Sequence, residues 1–190
     1  RKAPHNAYTT GEGIVAGIQS KGYETKHASD YTGHYKFNED DSTQIELTNG
    51  RDAAVVAPGY LVNKPWFVYD SETGLYKRFQ NGEAQTDGNN GEQVAVKNVI
   101  IQICGWSRMS NDDEYLDMET MAGGNGYYIT NGKAIPVTWS KDSLQAPTRY
   151  FDADGNEITL NQGKTWVCVT EDTYADKIAF YASEEEYANR

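Results

Sequence analysis

Lys2, His5 and Asn6 form the densest polar cluster near the start of the chain. Their types suit capture of an anionic group by Lys2 and His5, with Asn6 fixing its orientation. They equally suit an extended segment stiffened by Pro4, in which His5 is an ordinary hydrogen-bonding side chain. His27 and His34 are the other histidines and flank Asp30, but the spacing matches no characteristic zinc set and no cysteine lies nearby. Asp152, Asp154 and Asn156 open like a calcium loop. The twelfth position, where a bidentate acid is required, is Gly163, so a hairpin turn at Asp154-Gly155 is the better reading. No metal and no cofactor is expected.

Trp139, Arg149 and Trp166 have another use. Tryptophan and arginine on adjacent strands can build a stacked platform, supported by cation–π attraction, that suits a sugar ring or a peptide carboxylate. Thr148 beside Arg149 joins this ligand-binding set. Core and edge packing accounts for the same residues. Catalytic patterns are weak: there is no Gly-x-Ser-x-Gly, no His-Glu-x-x-His and no phosphate-cradling glycine loop. Cys104 ends an apolar run, which favours a buried thiol over a nucleophile. A carboxylate pair of the glycosidase type cannot be located among the many acids. A non-catalytic binding or interaction module is therefore the favoured reading, and a cell-wall hydrolase completed by residues outside this segment is the alternative.

These residues need a scaffold, and composition says what kind. Of 190 residues 38% are hydrophobic, 14 are tyrosines and 18 are glycines. A core of rings on sheet faces follows more naturally than a leucine-packed bundle. The net charge of −11 argues against a nucleic-acid partner and against docking on an anionic bilayer. No run of roughly eighteen apolar residues offers a membrane span. Two cysteines, Cys104 and Cys168, fit one disulfide or two buried thiols.

Along the chain, Thr10 offers an N-cap before Gly11–Ile18, with Ile14, Val15 and Ile18 on one helical face and Gly22 as a stop. A polar connection runs to Gly50. Short β-type runs follow: Ala53–Val56, Tyr60–Val62, Trp66–Tyr69, Leu75–Phe79 and Val99–Ile103. Later runs cover Gly126–Ile129, Ala134–Trp139, Thr148–Phe151, Glu157–Leu160 and Thr165–Val169. Asn81-Gly82, Asn131-Gly132 and Asp154-Gly155 separate them as hairpin turns. The expected fold is α+β and mostly antiparallel, a hairpin-rich sandwich or partly open barrel with one N-terminal helix. A closing strand at Ile178–Tyr181 precedes an acidic tail expected to fray.

The motifs themselves carry a resemblance. Arg1 to Asn6 with Tyr8-Thr9, Tyr69-Asp70 with Thr73-Gly74 and Tyr76-Lys77-Arg78, and Gly91-Glu92 with Lys97 to Gln102 resemble signatures of the YerB-like family of bacterial lipoproteins. Thr138-Trp139, Pro147-Thr148-Arg149, Asp154 to Ile158, and Asn161 with Gly163 to Trp166 resemble its closing block. Asn90 and Gln162 depart from the family pattern, as do segment 105–122 and the chain after 172. The resemblance implies an extracytoplasmic module of unknown activity, on the membrane only through a lipid anchor outside this chain. It further implies residues 1–50 as the end of the family's N-terminal domain, 51–172 as a β-rich C-terminal domain, and 173–190 as the closing strand and tail. The expected partners are the remaining N-terminal half of the ectodomain and an envelope protein or cell-wall glycan or peptide.

Overall fold

The computed structural model describes residues 2–3, 6–31, 33–40, 42–109 and 112–190, without the side chains of 112–114. It forms two compact units, Arg1–Gly33 and His34–Arg190. Residues 34–50 cluster with the second unit, where Tyr35, Ile45 and Leu47 pack against one of its cores.

In the first unit, helix α1 spans Gly11–Lys21. Thr10 Oγ1 accepts from the Gly13 amide at 3.1 Å, satisfying one of the orphan donors of the first turn. Gly22 ends the helix in the left-handed region at φ 65°, a conformation that costs glycine nothing. The expected apolar face is only half covered among the described residues: Ile14 and Val15 are each 53% exposed.

The second unit is built of strands. They run β1 (Arg51–Asp52), β2 (Val55–Pro58), β3 (Trp66–Asp70), β4 (Leu75–Gln80), β5 (Glu83–Ala84), β6 (Ala95–Val96) and β7 (Asn98–Cys104). After these come β8 (Trp106–Met109), β9 (Asp112–Met118), β10 (Gly123–Thr130), β11 (Lys133–Ser140), β12 (Arg149–Phe151), β13 (Thr165–Glu171) and β14 (Ile178–Tyr181). One sheet has the order β1-β11-β10-β7-β13, with β12 on β11. A second has the order β14-β2-β3-β4-β5, with β6 on β4, and β8 and β9 form a separate hairpin. The sheets are not closed into a barrel. All pairs are antiparallel except β7 with β13, which run parallel with Asn98 opposite Thr165.

Strand alternation builds two cores. Val99, Ile101, Ile129 and Cys168 face Val56, Phe67 and Tyr76 of the other sheet. Ile100, Tyr128, Val137, Trp139 and Tyr150 point to the opposite face, under the chain around Tyr35 to Leu47. β7 is therefore buried on both faces and reads as a nearly continuous apolar run.

Turn chemistry sets the hairpins. Asn81 and Gly82 sit at φ 55° and 84°, and Asn131 and Gly132 at 48° and 75°, as the two-residue turns between β4 and β5 and between β10 and β11 require. At the β3–β4 turn the Asp70 carboxylate binds Lys77 and accepts from the Glu72 and Thr73 amides, which holds its pKa at about 2.

Three expectations change. Tyr60–Val62 is a loop, bounded by positive φ at Gly59, Asn63 and Lys64 that no regular strand accommodates. Glu157–Leu160 makes only single bridges, Glu157 to Phe151 and Leu160 to Phe37. The acidic tail is folded: Ser183 caps a short helix, α2 (Glu184–Ala188), by accepting from the Glu186 amide, while Glu186 accepts from Ala182. Tyr187 stacks on Trp66, which in turn stacks on Phe79.

Candidate functional site

β4 alternates, so Tyr76 and Arg78 point between the sheets while Lys77 and Phe79 point away. Arg78 is 7% exposed. Its Nη1 donates to Gln80 Oε1 at 2.9 Å, and its Nε has no hydrogen-bond partner. The guanidinium carbon lies 4.4 Å from the ring centroid of Trp166 and 5.8 Å from that of Phe67. Burial lowers the pKa of Arg78, the opposite of what a carboxylate partner would do. Its charge is instead compensated by π faces.

Tyr60 closes the other side. Its hydroxyl lies beside the Cys168 thiol and the Val169 amide. Burial pushes the Cys168 thiol up to about 12, so it is neutral and unreactive at physiological pH. Both cysteines are free. Cys104 stands opposite Glu171, three residues past Cys168 along the parallel pair, and the two thiols belong to opposite cores. That offset, about 10 Å along a strand, is beyond disulfide reach.

Trp166, partly exposed, lines a groove of about 350 Å³ with Val94–Val96 beside it. Asp87, Asn90, Glu92, Gln93, Lys164 and Thr165 supply a polar rim. An aromatic face backed by a cation, with donors and acceptors around it, can receive the C–H face of a sugar or an aliphatic or aromatic side chain and fix its orientation. A second groove, of about 450 Å³ and mainly apolar, lies between the Tyr60–Val62 loop, Met118, Tyr174 and the end of β13. A cavity of about 330 Å³ beside Tyr127 and Pro136 includes Asp152. The Asp152 carboxylate already accepts from the Asp154 and Asn156 amides and is a turn-forming group. Among the described residues no group of His, Cys, Asp and Glu could hold a metal.

The platform suggested by sequence is not assembled as written. Trp139 is 2% exposed, donates from Nε1 to the Ile103 carbonyl, and lies on the sheet face opposite Trp166. Arg149 sits one strand beyond Trp139's, on β12, and pairs with Glu157 at 3.0 Å. Thr148 is buried. Strands β10 and β7 separate β11 from β13, so Arg149 and Trp166 cannot stack; the cation over Trp166 is Arg78. Lys2 and Asn6 are exposed in the first unit, and His5 lies outside the described residues. His27 stacks on Tyr31 in that unit. His34 belongs to the second, where burial and then the charges of Lys141 and Arg149 lower its pKa. Arg78 was visible within Tyr76-Lys77-Arg78, and the parity of that run points it inward. Its partner, far along the chain, was not.

Several of the family-like motifs serve folding. Asn161 Nδ2 donates to the Ile45 carbonyl and Thr130 Oγ1, while its Oδ1 accepts from the Ile45 amide. Asn98 donates to the Asn161 carbonyl and accepts from Tyr128. Lys97 Nζ binds Asn131 Oδ1 at 2.7 Å, and a Cβ on Gly163 would strike the Lys97 side chain.

The family described as "Protein of unknown function (DUF3048) C-terminal domain" matches residues 55–167. The chain belongs to that family. "Putative lipoprotein YerB" of Bacillus subtilis (strain 168) is 27% identical over 180 residues, covering 94% of this chain and 51% of that protein. The chain thus spans about half the length of this relative. The crystal structure of YerB from Bacillus subtilis matches with a TM-score of 0.73 at 23% identity, over 95% of this chain and 57% of that one. The fold of this family member is therefore shared with YerB. Among the described residues, no helix is long and apolar enough to cross a membrane.

Proposed function

We propose that this chain is a non-catalytic binding module of an extracytoplasmic lipoprotein, anchored through lipid outside this segment, whose ligand docks over Trp166. The observation that carries this reading is the Arg78–Trp166 stack fronting the mixed groove. The rim supplies donors and acceptors without an activated nucleophile beside them, and burial raises the pKa of both thiols. The lipoprotein name of the YerB relative supports the compartment. The half-exposed Ile14 and Val15 of α1 support an apolar partner for that helix within the full-length ectodomain.

A binding screen with the full chain against peptidoglycan fragments, glycans and purified envelope proteins tests the proposal. Saturable binding is expected, reduced at least tenfold by Trp166→Ala and more mildly by Gln93→Ala at the rim. Silence across the screen, or equal binding by a folded Trp166→Ala protein, overturns it.

A further inference from the structure

β13 ends its sheet, with β7 on one side and no strand on the other. In the parallel register the Asn98 amide donates to the Lys164 carbonyl, so the main-chain groups of residues 164, 166, 168 and 170 turn towards β7. Those of Thr165, Val167 and Val169 turn outward. The Val169 amide lies beside the Tyr60 hydroxyl. Among the described residues the Thr165 and Val167 amides meet no oxygen. Two grooves lie at the ends of this strand, one beside Thr165 and Trp166, the other beside Val169, Thr170 and Glu171. At roughly 3.3 Å per residue, Trp166 and Thr170 are about 13 Å apart, the span of four or five residues of extended chain.

The geometry points to strand addition. An extended segment of a partner polypeptide pairs with the outward edge of β13 and seats one side chain over Trp166 and another, apolar, against Leu61, Val62 and Tyr174. This rests on the reading of the Trp166 groove as a ligand site and names the class of ligand as polypeptide. Main-chain hydrogen bonds supply the affinity of such additions, and pockets for alternate side chains supply the selectivity. Charge decides the partner's composition. Asp87 and Glu92 stand at one end of the edge, Glu171 and Asp172 at the other, and Lys164 is the one basic side chain among the groove residues. The chain as a whole carries −11. A segment with apolar anchors and flanking lysine or arginine is complementary.

The probe is the blocked heptapeptide Lys-Val-Thr-Leu-Thr-Val-Lys, titrated into the full chain alongside a version with glutamates for lysines and a version N-methylated at alternate amides. The cationic peptide is expected to bind saturably and to protect the Thr165 and Val167 amides from hydrogen exchange. The glutamate and N-methylated peptides are expected to bind at least tenfold more weakly. Val167→Pro removes an outward amide without removing a ladder bond, as edge strands tolerate, and is expected to weaken the cationic peptide at least tenfold. If that variant does not fold, the N-methylated peptide on the wild-type protein decides. Equal binding of parent and N-methylated peptides, or no binding of the cationic peptide, overturns strand addition. If the screen then still returns a ligand lost with Trp166→Ala, the groove reading stands and only the polypeptide assignment falls.

Discussion

Arg78 places a positive charge between two sheets with one nitrogen unpartnered, so its net effect on stability depends on what replaces it. Alanine removes the stem and the stack on Trp166 together and should destabilise the protein by about 2 kcal/mol. Methionine keeps much of the volume and relieves the orphaned Nε, so it should stay within about 1 kcal/mol of the wild type. Urea unfolding of the two variants measures the difference; equal losses would show that the charge, not the packing, matters. Cys168 gives a second prediction at this scale. Its thiol ionises near 9 in an unfolded chain and near 12 in the folded one. Between those values the native state holds the extra proton, so stability is unaffected below pH 9 and declines as pH rises above it. The slope from this one group is up to about 1.4 kcal/mol per pH unit. Cys168→Ala should flatten the decline in urea midpoints measured from pH 7 to 11, and an unchanged slope would assign the decline to the buried tyrosines.

At the scale of elements, the central sheet depends on close backbone approach and on one polar knot. A Cβ on Gly126 would press into the Ile101 carbonyl oxygen across the β10–β7 pair, so Gly126→Ala should cost about 3 kcal/mol, read by thermal or urea melting. Asn161→Ala would leave the Ile45 amide without its acceptor, while the Ile45 carbonyl keeps Asn131 and Thr130 keeps the Lys97 carbonyl, and should cost about 2 kcal/mol. A loss below 1 kcal/mol in either would contradict these assignments. Elements whose shape is decided locally were legible in the sequence. Thr10 and Gly22 bracket α1, and Asn81-Gly82 and Asn131-Gly132 turn where positive φ is needed. The parallel pairing of β7 with β13 was not legible, because only tertiary packing sets a register between segments so distant. For the same reason Trp166 could be recognised as a candidate while its cation was assigned to Arg149 rather than Arg78. Tyr60–Val62 misled through apolar character alone; its loop geometry lies in the flanking Gly59, Asn63 and Lys64.

For the whole molecule, architecture and charge both bear on the proposed binding role. The second unit joins two packed sheets, and the acidic charge of the chain disfavours anionic polymers. Under the proposed function, the open side of β13, with Trp166 at its start, is the face that a partner would meet. The most direct test is a nuclear magnetic resonance titration of the isotope-labelled chain with a ligand returned by the binding screen, following protein and ligand signals together. The account predicts saturable shifts centred on the Trp166 indole and the Lys164 and Thr165 amides, with the ligand's own signals preserved as those of the intact compound. Shifts centred elsewhere, or replacement of the ligand's signals by those of a product, would contradict it.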